Sequence, residues 1–272
     1  MLTLVPTPIG NLEDISKRSL KALFGASTIL CEDTRITGKL LALFSEKYSL
    51  DKHQAKLTSL HSHNEKNFIE NLEKSFFDDA IVYVSDAGMP GISDPGQLLV
   101  DYCLTHDIPF EILPGASASI LAFVASGFVH TRFLFGGFLP HKGKSRSEEL
   151  NRLAFSGYTT IVYEAPHRLY KLLEELSTLI PDRRIFLAKE LSKKFETKIR
   201  GTAKELYAGM DKASIKGEWI VVIEAGEKEN LISFTEDEIL ELNLPIKDKS
   251  KLLARFGDKS AKAWYEILNN LT

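Results

Sequence analysis

The segment from Ser85 to Gly96 carries the residues best suited to holding a ligand. Its sequence, SDAGMPGISDPG, follows the apolar, β-rich run Ala80 to Val84, which predicts a fully buried strand. Three glycines and two prolines give it a fixed, irregular backbone path. Asp94 and Pro95 are expected to cap and begin the next helix. Ligands of open α/β sheets bind at such loops, so we expect one wall of a ligand site, with a rigid connector as the alternative.

Polar residues also follow two other predicted strands. The run CEDTR, from Cys31 to Arg35, could form a polar cluster at the mouth of a cleft or an ion-paired entry to a helix. His61 and His63 follow the next strand, and a pair at this spacing could bind a metal. No third ligand is evident, so no metal site is predicted. Asn64 is expected to cap the helix that follows.

Four more segments are candidates for a ligand site because they lie at the ends of predicted strands. The turn from Pro6 to Ser16 leaves the first strand but has neither GxGxxG nor GxxxxGK[ST], so it predicts a stiff cleft wall rather than a phosphate loop. The basic loop Phe138 to Arg146 suits contact with phosphate groups. Tyr163 to Leu169 and Lys189 to Glu196 place mixed charges at strand ends. Helix capping and surface pairing are the alternatives for these last two segments.

Composition excludes several classes of protein. The 272 residues are 44% hydrophobic and 26% charged, as in globular proteins. No apolar run approaches the ~18 residues of a membrane span, and the N-terminus has no basic leader, so we expect a cytoplasmic protein. Cys31 and Cys103 are too few for a disulfide framework or a cysteine-rich zinc site.

The net charge of −3 argues against a nucleic-acid partner, but the cations are clustered. Residues 182–200 hold seven Lys or Arg against three acids, and residues 247–262 hold six against two. Between them, residues 227–241 hold six acids and one lysine. Because solvated helix faces also carry such patches, charge alone leaves RNA binding open.

Alternating strand and helix patterns predict an α/β fold. The first half is expected to form a mostly parallel sheet, with strands at 2–6, 28–31, 56–60, 80–84 and 110–113 and helices at 16–24, 37–45, 64–76 and 95–106. The second half is expected to form a mixed sheet, with strands at 133–138, 159–163, 184–188, 196–200 and 219–225 and helices at 145–155, 167–179 and 203–209.

Three regions are therefore expected along the chain. Residues 1–114 would form an N-terminal α/β domain and residues 115–228 a C-terminal α/β domain. Residues 229–272 would form a helical tail, with helices over 235–270 and Gly257 as a turn between two of them.

Eight motifs, in this order, resemble a known family. They are LVPTPIGNLEDIS, CEDTR, SDAGMPGISDPG, PGASAS, GFLPHKGK, YEAPHRL, KELSKKFE and GEWIVVIEAG. Together they are similar to the successive signatures of the bacterial 16S ribosomal RNA (cytidine-2′-O-)-methyltransferases, within the tetrapyrrole-methylase-like superfamily. The resemblance covers residues 2 to about 226 and is weaker through the tail.

The resemblance implies two α/β domains with S-adenosylmethionine (SAM) in the cleft between them, and usually a homodimer. It also implies methyl transfer to a cytidine 2′-hydroxyl in the decoding region of 16S rRNA in the 30S subunit. The SAM-contacting residues that it implies are Pro8, Ile9, Gly10, Gly88, Met89, Pro90, Ile92, Ser117, Ala118, Tyr163 and Glu164, with Glu218 or Trp219. Porphyrin-type members commonly have an aspartate at the position of Met89, which favours RNA over a tetrapyrrole as acceptor.

Methyl transfer from a sulfonium requires no metal, but a base would help to remove the hydroxyl proton. Asp33, Asp86, Glu164 and Glu190 are the candidate bases, and Lys189 is a candidate for stabilising the developing alkoxide. The phosphate-contact candidates are Lys142, Lys144, Arg146, Lys193, Lys194, Lys251, Arg255 and Lys259. The resemblance further implies a small helix-turn-helix-like tail.

Two alternative functions remain open. A tetrapyrrole-type methyltransferase would keep the SAM site but have an apolar substrate cleft without the basic loop. A non-catalytic, RNA-binding assembly factor would keep the shape of the loop without binding SAM.

Overall fold

The computed structural model describes residues 1–226, 236–256 and 259–270. The chain divides into two compact units, Met1–Lys228 and Glu229–Thr272. Both predicted sheets belong to the first unit, and the predicted domain boundaries stay predictions.

The first sheet has five parallel strands in the order β3-β2-β4-β1-β5. These are β1 (Leu2–Leu4), β2 (Thr28–Cys31), β3 (Lys56–Ser59), β4 (Ile81–Val84) and β5 (Phe110–Ile112), joined through α1 (Lys17–Gly25), α2 (Thr34–Tyr48), α3 (Glu65–Glu70) and α4 (Gln97–Thr105). All four residues of β4 are buried, as expected for a central strand with helices on both faces. Because the strands are parallel, the segments that follow them meet at one edge.

The second sheet is mixed, in the order β6-β7-β10-β8-β9, with only the β6–β7 pair parallel. Its elements are α5 (Ala118–Ser126), β6 (Phe133–Phe138), α6 (Lys144–Ala154), β7 (Thr159–Glu164), α7 (Pro166–Leu179), β8 (Arg184–Lys189), β9 (Thr197–Thr202), α8 (Ala203–Gly209) and β10 (Trp219–Ile223). The central strand β10 is buried throughout. The predicted α/β fold with one parallel and one mixed sheet is confirmed.

The second unit contains α9 (Glu236–Glu241), α10 (Ile246–Phe256) and α11 (Ala261–Asn270). Its own apolar cluster consists of Ile239, Leu253, Trp264 and Leu268. The predicted turn at Gly257 lies outside the described residues. Across the part of the chain that the structure describes, no helix is both long and apolar enough to cross a membrane.

Three predicted helices are wrong in their bounds. The helix predicted over 37–45 is α2, which begins at Thr34 because the Asp33 side chain accepts the Arg35 N–H, and which extends to Tyr48. α4 begins at Gln97 rather than Pro95, because Gly96 occupies the N-cap position at φ +121° and donates its N–H to Glu65 Oε1 at 2.7 Å. Asp94 therefore does not cap the helix. The predicted helix over 64–76 ends at Glu70 and is followed by a short 3-10 turn at Lys74–Phe77.

Local side-chain hydrogen bonds explain both ends of α3. At its start, the Asn64 side chain accepts from the His61 N–H at 2.8 Å and donates to the Ser59 carbonyl, so it makes no capping bond to the helix. Near its end, Asn71 Nδ2 donates to the Asn67 carbonyl at 2.7 Å. Asparagine side chains that bond to nearby backbone groups compete with the helical hydrogen-bond pattern in this way.

Candidate active site

The carboxyl edge of the parallel sheet faces a cavity of about 500 Å³ that the second sheet closes. A volume of this size suits a small-molecule ligand. The segments after β1, β2, β4 and β5 each contribute to it, as do the ends of β6, β7 and β8 and the start of β10. The lining residues are Ile9, Glu32, Asp86, Ala87, Gly88, Met89, Ile92, Ser93, Asp94, Ser117, Ala118, Phe138, Tyr163, Glu164, Ala165, Pro166, Ala188, Glu190, Leu191, Glu218, Trp219 and Ile220.

Most of the residues implied for SAM binding line this cavity, whereas Pro8, Gly10 and Pro90 do not. Gly10 instead packs closely against the loop after β8. A Cβ added there would lie 2.7 Å from the backbone carbonyl of Ser192, in the loop after β8. The same loop is tied to the first sheet by the Ser192 hydroxyl, which donates to Asp14 Oδ2 at 2.8 Å.

The loop Ser85–Gly96 is held to the first turn by paired backbone hydrogen bonds. The Thr7 N–H donates to the Gly88 carbonyl at 3.0 Å, and the Gly88 N–H donates to the Thr7 carbonyl at 3.1 Å. Gly88 has φ +86°, and a Cβ there would lie 3.2 Å from Ile9 Cγ2. A glycine is required because a side chain would be strained in this conformation and would press on Ile9 in the adjoining turn.

On the opposite side, Glu164 is fully buried between two arginines. Its carboxylate lies 3.3 Å from Arg146 Nη2 and 2.9 Å from Arg168 Nε. Arg146 also pairs with Glu175 at 2.9 Å, and both arginines donate to the Pro140 carbonyl. This network fixes the backbone of the basic loop against the end of β7. It pairs both oxygens of Glu164 with cations, which disfavours proton acceptance, and the role of Glu164 as a catalytic base stays a prediction.

The other candidate bases differ in their surroundings. Asp33 lies outside the cavity lining, caps α2 and pairs with Arg35 at 2.6 Å, and these bonds hold its pKa well below the usual range. Glu190 lines the cavity but accepts from the Glu218 N–H at 2.8 Å and pairs with Lys193, which lowers its pKa. A carboxylate with a lowered pKa is a poor proton acceptor at neutral pH.

Three other carboxylates that line the cavity have a raised pKa instead. Burial raises the pKa of Glu32 to about 6, with further contributions from the charges of Asp94 and Asp86. Burial also raises the pKa of Asp86 and Asp94. Sequence reasoning named Asp86 but missed Glu32, although Glu32 belongs to the CEDTR motif at a strand end. The position of Glu32 directly after a predicted strand was the sequence signal that could have identified it as a site residue.

Lys189 lies outside the cavity lining. Its ammonium is 5.7 Å from the centre of the Trp219 ring, above which it sits in a cation–π contact. This placement turns the side chain toward an aromatic wall residue, and a role for Lys189 in stabilising an alkoxide stays a prediction.

The predicted phosphate contacts fall into three groups. Lys142, Lys144 and Lys194 are exposed, and Lys193 is half-buried and pairs with Glu218 at 2.8 Å. Arg146 is 2% exposed, so its prediction as a phosphate contact is wrong: its guanidinium is consumed by the buried network. Lys251, Arg255 and Lys259 belong to the second unit, where all three are exposed.

Within the three described ranges, no group of three or more His, Cys, Asp or Glu side chains could hold a metal ion. The His61 and His63 rings lie 5.9 Å apart, at the end of β3 and outside the cavity lining.

Two sheets, with a cavity at the carboxyl edge of the parallel one, are the fold of a class of methylases, and the sequence matches the same class. The family described as Tetrapyrrole (Corrin/Porphyrin) Methylases matches residues 1–207. Solved structures agree in fold: cobalt precorrin-4 methyltransferase (TM-score 0.58, 18% identity, 82% of this chain and 94% of that chain) and diphthine synthase (TM-score 0.60, 16% identity, 82% and 89%).

Curated relatives define the family more narrowly. The chain is 42% identical to Ribosomal RNA small subunit methyltransferase I of Campylobacter fetus over 98% of this chain and 99% of the relative. It is 42% identical to the protein of the same name from Helicobacter pylori, over 97% and 96%. The chain therefore belongs to the Ribosomal RNA small subunit methyltransferase I family, within the tetrapyrrole methylases.

Proposed function

We propose that this chain is a SAM-dependent methyltransferase that modifies the RNA of the small ribosomal subunit. The observation that carries the proposal is the cavity described above, in a chain that belongs to this family. One solved relative by fold, a uroporphyrin-III C-methyltransferase from Thermus thermophilus, is complexed with S-adenosylhomocysteine (TM-score 0.55, 19% identity, 82% of this chain and 96% of that chain).

The charge of the cavity supports a cationic cofactor. Six carboxylate side chains line it, namely Glu32, Asp86, Asp94, Glu164, Glu190 and Glu218, and none of its lining residues is Lys, Arg or His. Glu164, Glu190 and Glu218 are paired with cations that lie outside the lining. The sulfonium and ammonium groups of SAM are positive, so the other three lining carboxylates, Glu32, Asp86 and Asp94, favour their binding. The same field would repel an RNA phosphate from the interior of the cavity.

We infer that the acceptor is the 2′-hydroxyl of a cytidine in the decoding region of 16S rRNA, and that the enzyme acts in the cytoplasm as a homodimer. The family resemblance supports the nucleotide and the dimer. Methyl transfer is an in-line displacement, so the protein must mainly align the acceptor oxygen with the methyl carbon.

Two measurements separate this function from the alternatives. Isothermal titration with SAM is expected to show binding, and no binding would leave only the assembly-factor function. Transfer of labelled methyl groups to 30S subunits, with none to uroporphyrinogen III, is expected next. The reverse preference would identify a tetrapyrrole enzyme.

The exposed lysines of the loop after β6 are proposed to contact the RNA backbone. Reversing Lys142 and Lys144 to glutamate is expected to weaken 30S binding. It should also reduce the slope of log affinity against log salt by about 0.7–0.9 for each cation, because fewer counterions are released. Lys204→Glu, at an exposed lysine on α8, serves as the control. An unchanged slope in the double variant would remove these lysines from the interface.

Phe138 offers a stacking surface between that loop and the cavity. Its side chain is 59% exposed although it lines the cavity, and its ring centre lies 5.5 Å from that of Tyr163. Base–aromatic stacking contributes about 1–3 kcal/mol. With SAM saturating each protein, Phe138→Ala is therefore expected to raise KM for 30S subunits about tenfold, whereas Phe138→Tyr should behave like the parent. Equal KM values for all three proteins would contradict stacking.

A further inference from the structure

The end of β2 presents a carboxylate oxygen that faces the cavity without a protein partner. Glu32 Oε1 accepts the N–H of Asp86 at 3.0 Å, which fixes the orientation of the carboxylate. Among the residues that the structure describes, neither a hydrogen-bond donor nor a Lys, Arg or His cation pairs with Glu32 Oε2. One oxygen is therefore anchored and the other is available to a ligand.

Of the six carboxylates that line the cavity, Glu32 and Asp86 each have one oxygen fixed by a backbone N–H and no paired cation among the described residues, and the bond to Glu32 is the shorter, at 3.0 Å against 3.3 Å. Glu164 and Glu190 are paired with cations, and Glu218 pairs with Lys193. Asp86 Oδ1 accepts the Asp33 N–H at 3.3 Å, and Asp86 lies in the glycine-rich loop proposed to hold the cofactor. The Asp94 carboxylate has no hydrogen bond in the described part of the chain, so nothing fixes its position.

A second, independent feature lies beside Glu32. Tyr83 on β4 is fully buried, and its hydroxyl has no hydrogen-bond partner among the described residues. After burial, the charge of Glu32 is the largest contribution to the strongly raised pKa of Tyr83, so the phenol stays protonated within the field of that carboxylate. An unpaired buried donor costs free energy unless a polar group or water satisfies it, and Tyr83 does not line the cavity, so it contributes to the surroundings of Glu32 and does not contact a ligand there.

We propose that Glu32 is the general base that accepts the proton of the acceptor hydroxyl during methyl transfer. This inference rests on the proposed function. The hydroxyl oxygen forms a bond to the methyl carbon as the carbon–sulfur bond breaks, and that electron pair returns to sulfur to give neutral S-adenosylhomocysteine. The hydroxyl proton moves to Glu32 Oε2 and afterwards to solvent.

The charged surroundings of Glu32 set its protonation. The charges of Asp86 and Asp94, in the loop after β4, act on Glu32, and Glu32 acts in turn on Tyr83 and Cys31. Glu164, Glu190 and Glu218 line the same cavity, and the charge of Glu65 at the start of α3 acts on Tyr83. Burial and the negative neighbours disfavour the charged form of Glu32. A base with a pKa of about 6 is protonated below that pH and active above it.

The test is single-turnover methyl transfer to 30S subunits with prebound, saturating SAM, measured from pH 5 to 9. The parent rate is expected to rise with pH through about 6 and then level off. Glu32→Gln keeps an oxygen that can accept the Asp86 N–H but removes one negative charge from the cavity, so its rate is measured at a SAM concentration that saturates the variant. It should transfer the methyl group about 10²–10⁴-fold more slowly and lose the rise near pH 6.

Two companion variants make the result specific. Asp94→Asn removes a neighbouring negative charge, so the rise should move to lower pH. Glu32→Asp keeps a carboxylate and should retain a pH-dependent rate that exceeds that of Glu32→Gln.

The inference would be overturned by a Glu32→Gln plateau rate within threefold of the parent. A Glu32→Gln rate that returns to the parent value once SAM saturates the variant would also overturn it, by showing that Glu32 acts on cofactor affinity alone. A loss confined to Asp94→Asn would move the base to Asp94. If the parent enzyme transfers no methyl group to 30S subunits, it is the proposed function that fails, so the two failures are distinguishable.

Discussion

Replacing Glu164 with glutamine is expected to lower the free energy of unfolding by about 3–5 kcal/mol, the cost of leaving buried charges without their partner. The Glu164 side chain is fully buried, and those of Arg146 and Arg168 are 2% and 16% exposed. Glutamine matches its shape but cannot neutralise either arginine. Urea unfolding of the parent and the variant measures the difference.

A matched control is Glu149→Gln. Glu149 also pairs with an arginine, Arg152, at 2.6 Å, but their side chains are 29% and 59% exposed. Exposed pairs contribute about 0–1 kcal/mol. If Glu164→Gln costs no more than Glu149→Gln, the buried network does not stabilise the fold as described here.

Gly10→Ala is expected to raise the dissociation constant for SAM at least tenfold, about 1.4 kcal/mol. The added Cβ would lie 2.7 Å from both the carbonyl carbon and the oxygen of Ser192, and backbone cannot move aside as a flexible side chain does. The loop after β8 must then shift, and it carries Glu190 and Leu191 on the cavity wall. Isothermal titration of each protein with SAM gives the constants.

Gly25→Ala serves as the control for Gly10→Ala. Gly25 ends α1, and a Cβ there meets no atom within 4 Å, so the same substitution should leave SAM affinity and stability close to those of the parent. An affinity within threefold of the parent for Gly10→Ala would show that the close contact at Ser192 does not shape the cavity.

The sequence predicted the sheets well because strong apolar, β-branched runs such as residues 81–84 have little choice of structure. The start of α4 was wrong for a tertiary reason. Asp94 and Pro95 carry local helix-start signals, but Gly96 receives its hydrogen-bond partner from Glu65, thirty-one residues earlier in the chain. Local propensity cannot anticipate a partner at that distance.

The same limit applies to the site. Strand-end positions correctly brought loops together at one cavity, since parallel strands end at a common edge. Sequence position could not show which acidic residues pair with cations in space. Glu164 ends a strand and Glu32 follows one, yet two arginines enclose the first and, in the described part of the chain, no arginine pairs with the second. The prediction that Arg146 contacts phosphate failed for the same reason. A basic loop predicts exposed side chains, and only the structure shows that Arg146 is buried against Glu164 and Glu175.

Mapping the methylated nucleotide tests the central proposal most directly. The enzyme is incubated with labelled SAM and 30S subunits from a strain that lacks the activity, and the labelled position is located by nuclease digestion and mass spectrometry. We predict one labelled cytidine in the decoding region of 16S rRNA, with the methyl group on its ribose 2′-oxygen. Label on a base, label on another RNA, or no transfer in the presence of bound SAM would contradict it.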